Sequence, residues 1–236
     1  MEPALLLIVI LFASFTQSVA GFGLGLVAMP FIAEPLGVQP STSLIALIAL
    51  ITRIVLLIAY REAFNLQVVS RLTAASILAL PIGVLVLQRL ETGFVLALLG
   101  VVVSGYALYA LLELRLPEIK HPRWAYGFGF ISGLLSGAYN TGGPPVIMYG
   151  TSRNWKPAEF KSNLQGFGLV NSLLVIGLHF VAHNYTPEVI GHFFLTLPVV
   201  FVGLLAGILV ARFINPWWFR RIVLVMLLIT GLTLIF

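Results

Sequence analysis

The groups that could do chemistry in this chain fall in two glycine-rich stretches. One is Ser136-Gly-Ala-Tyr-Asn-Thr-Gly-Gly-Pro-Pro-Val-Ile-Met-Tyr149, and the other is Gln17-Ser-Val-Ala-Gly-Phe-Gly-Leu-Gly-Leu-Val-Ala-Met-Pro30. Placing Gly23 over Gly142 puts Gln17 over Ser136 and Gly21 over Asn140. Each stretch interrupts an apolar run long enough to enter a bilayer. Backbone cannot stay unpaired in hydrocarbon, so such a break is tolerated only where protein or a wet cavity covers it. Gly142-Gly143 lets the chain turn through conformations closed to other residues. Pro144 suits the first turn of a new helix, and Asn140 or Thr141 can cap it. The free N–H groups of that turn then point at the break, and the helix dipole adds partial positive charge. Such an end binds an anion without a lysine. Gly21, Gly23 and Gly25 can do the same from the other side. The same residues would also serve a plain kink or close helix packing; two motifs at matching places favour the anion site.

Arg53 is the one charge well inside an apolar segment. A charge at that depth is costly and usually faces a cavity or a partner. It either draws an anion toward the breaks, or reaches the cytoplasmic face, or binds backbone carbonyls. No carboxylate is available at depth: the chain has no Asp, and its eight acidic residues are Glu at or near segment ends. That disfavours a cation substrate and a carboxylate relay. His179 could carry a proton but reads equally as a packed histidine. Asn163, Gln165, Asn171 and Ser172 either line a cavity or bond helix to helix. Ser14, Thr16, Gln17 and Ser18 lead into the first break, and Phe22 and Tyr139 flank the breaks as candidate gates. The substrate-contacting set expected from these arguments is Gln17, Ser18, Gly21, Gly23, Gly25, Arg53, Asn140, Thr141, Gly142, Gly143 and Asn171.

These residues need elements to hold them. Of 236 residues 60% are hydrophobic and 9% charged, against about 25% charged in globular proteins, so an integral membrane protein is expected, all-α and polytopic, with the bilayer as its surroundings. The basic pI, about 9.8, comes from scattered loop cations and does not point to nucleic acid. There is no cysteine, hence no disulfide or thiolate chemistry, and no metal or cofactor pattern. The start, Met1-Glu2-Pro3, lacks the positive region of a cleaved signal peptide, so the first apolar segment is expected to be retained. Apolar runs fall at 4–33, 41–60, 68–88, 93–112, 124–150, 162–182, 189–211 and 217–236, read as spans by length. The polar linker 113–123 divides them into two repeats, 1–115 and 116–236. Weaker matches pair Gly83 with Gly207 and Gly105 with Gly231, as old internal repeats in transporters do.

Charge placement sets the topology. If all eight segments cross, seven cations fall on one side and five on the other. If 4–33 and 124–150 are re-entrant hairpins, eleven of the thirteen Lys and Arg share one face: Arg61, Arg71, Arg115, Lys120, Arg123, Arg153, Lys156, Lys161, Arg212, Arg220 and Arg221. Only Arg89 lies opposite, and Arg53 lies inside a span. The positive-inside rule selects this arrangement, with both termini outside and Trp124, Trp155, Trp217 and Trp218 at the cytoplasmic interface. Each repeat is then one hairpin plus three crossings. The odd number inverts the second repeat, so the tips of the two hairpins meet near the midplane.

At Gln17-Ser-Val-Ala-Gly-Phe-Gly23 with Gly25 and Pro30, and at Gly133-Leu-Leu-Ser-Gly-Ala-Tyr-Asn-Thr-Gly-Gly-Pro-Pro-Val-Ile-Met-Tyr149, the chain resembles the sulfite exporter TauE/SafE family of bacterial membrane permeases. The resemblance covers nearly the whole chain. The second motif is the more specific; in the first, Leu24 interrupts the fuller glycine run of many family members. The resemblance implies a secondary transporter in the bacterial inner membrane exporting sulfite or a small sulfonate such as sulfoacetate. An anion channel of the same architecture, or a permease for another small carboxylate or oxyanion, is the alternative. Gly133-Leu-Leu-Ser-Gly137 has the wrong spacing for a serine hydrolase, and no His–carboxylate pair accompanies it, so no enzyme is expected. Neither the coupling ion nor the oligomeric state has a recognisable signature in the chain.

Overall fold

A computed structural model describes residues 2–114, 117–119, 121–211, 213 and 215–236. Arg115, Lys120 and Arg212, counted among the shared-face cations, lie outside the described residues. Among the described residues the chain is helical: α1 (Pro3–Ala20), α2 (Leu24–Leu36), α3 (Val38–Tyr60), a 3-10 turn (Arg61–Ala63), α4 (Leu66–Arg89), α5 (Thr92–Leu111), α6 (Trp124–Tyr139), α7 (Gly143–Ser152), α8 (Pro157–Val181), α9 (Pro187–Val210) and α10 (Pro216–Thr233). Proline stands in the first turn of α1, α7, α8, α9 and α10, where its missing N–H has no intrahelical acceptor to lose. Thr186 and Asn215 cap α9 and α10 by accepting from the N–H groups of Val189 and Trp217.

Among the described residues six helices are long and apolar enough to cross a membrane: Pro3–Ala20, Val38–Ala59, Leu66–Leu85, Thr92–Leu111, Ala158–Val181 and Pro187–Val210. The set includes α1, the first arm of the expected hairpin. The outward surface is apolar, with Leu78 70% and Phe180 72% exposed. Side chains of that size in contiguous patches suit lipid and not water.

Small residues bring the helices together in definite directions. On α6, Gly129, Gly133 and Gly137 press against Leu72, Ser76 and Leu80 of α4, one turn per step, so the two helices run parallel. A methyl on Gly133 would lie 2.7 Å from the Ser76 carbonyl oxygen. On α9, Gly203 abuts Leu11 and Ser14, and Gly207 abuts Phe15 and Ser18, so α9 runs parallel to α1; the Ser18 hydroxyl donates to the Leu204 carbonyl at 2.9 Å. By contrast α3 and α8 are antiparallel: Ser43 meets His179 at one end and the Asn65 N–H meets the Asn163 side chain just beyond the other. In α5 and α10, Gly100 approaches the Gly231 carbonyl and Glu113 pairs with Arg221, which is again antiparallel. Close backbone approach over small residues is how apolar helices associate when lipid is as apolar as they are.

Candidate functional site at the two helix breaks

At the first break α1 ends on Gly21, whose φ of 79° is left-handed, with its N–H bonded to the Gln17 carbonyl at 2.9 Å. Gly23 follows at φ 117°. Both positions favour glycine, because a Cβ is strained there. The first N–H of α2, on Leu24, is taken by the Gln17 side-chain oxygen at 3.1 Å. The first helical bond runs from the Val27 N–H to the Gly23 carbonyl. The N–H groups of Gly25 and Leu26 therefore have no intrahelical acceptor.

At the second break Asn140 holds the place that Gly21 holds in the first. Its φ is 53° and its N–H bonds the Ser136 carbonyl at 2.9 Å. The Thr141 N–H bonds the Leu135 carbonyl, a helix-ending pattern common after a left-handed residue. The turn is therefore made by Asn140, and not by the expected freedom of Gly142 and Gly143; Gly142 has an ordinary φ of −68°. Gly142 is small because a Cβ there would lie 2.6 Å from the Ser132 carbonyl oxygen, and the Ser132 hydroxyl donates to the Gly142 carbonyl. The expected side-chain cap by Asn140 or Thr141 is also absent: Gly142 is the cap residue of α7 and no side chain bonds that helix end. Pro144 and Pro145 carry no N–H, so α7 offers fewer backbone donors than α2. The Asn140 amide nitrogen and the Thr141 hydroxyl instead stand buried without a hydrogen-bond partner.

The two breaks touch. A Cβ on Gly25 would clash with the carbonyl of Asn140, and the Thr42 hydroxyl reaches the Ala138 carbonyl at 3.4 Å. Between the breaks lies a cavity of about 40 Å³, room for a few water-sized groups. Gln17, Gly21, Gly23 and Gly25 line it from the first break, Asn140, Thr141 and Gly143 from the second, and Ala49 and Arg53 from α3.

The Arg53 guanidinium donates to the Gly168 carbonyl and the Ser172 hydroxyl on α8. It thus binds a backbone carbonyl and lines the cavity at once. Gly168 gives it room, since a Cβ there would sit 2.5 Å from the arginine Nε. Gln165 ties α8 to the first break: its Nε2 donates to the Gly21 carbonyl at 2.6 Å, and its Oε1 accepts from Gln17 Nε2 at 3.3 Å. The stem of Lys161 lies over Gly21, 3.3 Å from where a Cβ would stand.

Other expected site residues are placed elsewhere. Ser18 belongs to the α1–α9 contact. Asn171 accepts from Ser76 at 2.9 Å and donates to Ser136 at 3.4 Å, joining α8 to α4 and α6. Phe22 lines the cavity with its ring edge-on to Tyr106, whereas the Tyr139 hydroxyl is anchored on the Val95 carbonyl at 2.9 Å. His179 is buried at the opposite end of α8 from the cavity, with Nδ1 2.7 Å from the Asn184 amide nitrogen and 3.1 Å from the Ser43 hydroxyl. Gly168 and Ala49 were not singled out by the sequence. A helix glycine that makes room for a neighbour's side chain carries no local signal.

Comparison with known proteins gives a consistent answer. A family model described as sulfite exporter TauE/SafE matches residues 6–234. The probable sulfite/organosulfonate exporter TauE of Cupriavidus necator is 31% identical over 159 residues, 64% of this chain and 61% of that protein. The probable inner membrane transporter protein TsaS of Comamonas testosteroni is 27% identical over 156 residues, 65% of each chain. The match therefore spans less than two thirds of each relative. No solved structure matches the chain.

Proposed function

Because the chain belongs to the sulfite exporter TauE/SafE family, we propose that it is a secondary transporter that exports a small sulfur-containing anion, sulfite or a short organosulfonate, through the cavity between the two breaks. The relatives carry exporter and transporter names, which supports transport and not enzymatic turnover. The observation that carries the site is the convergence on one cavity of the open α2 N-terminus, two unpartnered buried donors on Asn140 and Thr141, and the Arg53 guanidinium. Every one of these favours negative charge. The size, about 40 Å³, suits a compact oxyanion shed of its water.

The helix directions support two inverted repeats, 1–115 and 116–236. The pairs α1 with α9 and α4 with α6 exchange under a two-fold operation, while α3 pairs with α8 and α5 with α10, each antiparallel to its counterpart. An axis along the helices would leave counterparts parallel; an axis in the membrane plane reverses them. α2 also runs against α3, since Ser41 bonds the Ile32 carbonyl while Ala49 and Gly25 share the cavity, as a hairpin with its tip at the first break requires. Arms of 18 and 16 residues are about 27 and 24 Å long at 1.5 Å per residue. Together they exceed a hydrocarbon core of about 30 Å, so the arms begin among the headgroups or tilt. With the cation-rich end in the cytoplasm, both termini lie outside an inner membrane.

The test is flux of radiolabelled sulfite or sulfoacetate in proteoliposomes. Saturable efflux that Asn140→Asp abolishes supports the reading. Intact protein that moves no sulfite and no sulfonate overturns it, and conductance without saturation would make it a channel.

A further inference from the structure

A second cavity, of about 270 Å³, lies between α5, α7 and α10. Its walls include Tyr109 and Glu113 of the α5 end, Thr151 of α7, and Trp217, Arg220 and Arg221 of α10. Glu113 is committed: it accepts from the Trp217 indole at 3.3 Å and pairs with Arg221 at 3.6 Å. The Arg221 guanidinium in turn lies over the Trp217 ring, 4.1 Å from its centroid. Two guanidinium charges thus face one carboxylate, and the excess positive charge sits beside Arg220. The Tyr109 hydroxyl adds a neutral donor, whereas the Thr151 hydroxyl is spent on the Ile147 carbonyl at 2.8 Å.

The cavity shares α7 with the central site. Gly143 at the start of α7 lines the space between the breaks, and Thr151 two turns later lines this one. Eight residues of helix are about 12 Å. The larger volume admits an anion that keeps part of its hydration, and the smaller one does not.

We infer that the cavity between α5, α7 and α10 is a second oxyanion site, a loading vestibule in which Arg220 and Arg221 hold the anion before it passes along α7 to the break at Gly143. This rests on the transport reading above, because it assumes that the same oxyanion occupies the central cavity. The charge excess raises the local anion concentration, and salt weakens it over a screening length of about 8 Å at physiological ionic strength.

The test is equilibrium binding of radiolabelled sulfite to the purified full chain in detergent. Two saturable components are expected, the weaker falling about tenfold in affinity between low and high salt. Arg220→Gln should remove that component and leave the other within about twofold, and Arg220→Lys should restore it. A single component that Arg220→Gln leaves unchanged overturns the vestibule alone. No saturable binding at all overturns the vestibule together with the anion reading beneath it. If phosphatidylglycerol added to the micelles abolishes the Arg220-dependent component, the cavity takes a lipid phosphate, and its assignment to the transported anion is overturned.

Discussion

Gly25 in the first turn of α2 lies directly against the carbonyl of Asn140 at the end of α6, with no space for a methyl group between them. The contact joins two chain breaks more than a hundred residues apart in sequence and closes the cavity on one side. Gly25→Ala should therefore push the breaks apart. Overpacking against backbone costs about 1–3 kcal/mol, so the variant should still insert. Sulfite flux should fall at least tenfold while the yield of folded protein stays within about half of the parent. Full activity in Gly25→Ala would mean that the breaks do not need this contact.

Two features of Asn140 can be separated by substitution. Its left-handed φ of 53° is open to Asn, Asp and Gly and disfavours other residues. Its amide nitrogen is buried without a partner. Asn140→Gly keeps the backbone and deletes the donor; loss of one hydrogen bond to a charged ligand, about 1.5–3 kcal/mol, should raise KM at least tenfold with little change in melting temperature. Asn140→Asp keeps the shape and aims a negative charge at the anion, which should abolish flux. Equal activity of the two variants would remove Asn140 from the site.

Much of this was legible in the chain. Hydropathy locates the helices, and the pairing of Gly21 with Asn140 and Gln17 with Ser136 matches equivalent backbone roles at the two breaks. What failed has physical reasons. Gly142 and Gly143 read as the turn because glycine is the usual left-handed residue, yet Asn140 takes that role and Gly142 is kept small by Ser132. Ser18 and Asn171 stand in the expected substrate-contacting set because they are polar in an apolar segment, and Asn171 reads equally as a helix-to-helix bond; both bond one helix to another. Whether a buried polar side chain faces a cavity or a neighbouring helix depends on how the helices are rotated, which periodicity does not reveal when every face is apolar.

Arg53 and Gly168 should behave as one unit. The arginine lies where a Cβ on Gly168 would collide with it, and it bonds the Gly168 carbonyl. Arg53→Ala should cut flux about tenfold or more while the protein remains in the membrane. Gly168→Ala displaces the guanidinium without removing its charge and should give a similar but smaller loss. The double variant should be no worse than Arg53→Ala, because residues in contact are not additive. Losses that simply add in the double variant would show that Gly168 acts through something other than Arg53.

The inverted arrangement can be read with chemistry the chain itself does not contain. It has no cysteine, so every single-cysteine variant reports one position against no background. Arg61→Cys, just past α3, and Arg153→Cys, just past α7, end helices that run the same way if α1–α2 and α6–α7 are both hairpins. Both should then react with an impermeant maleimide only from the cytoplasmic side. His183→Cys, in the loop after α8, and Glu91→Cys, between α4 and α5, should react only from outside. If both glycine-broken segments instead cross the bilayer, the first of them flips everything between it and the second, and Arg61 and Arg153 label from opposite sides. That result would also move the two break tips out of the mirrored relation on which a shared anion cavity depends.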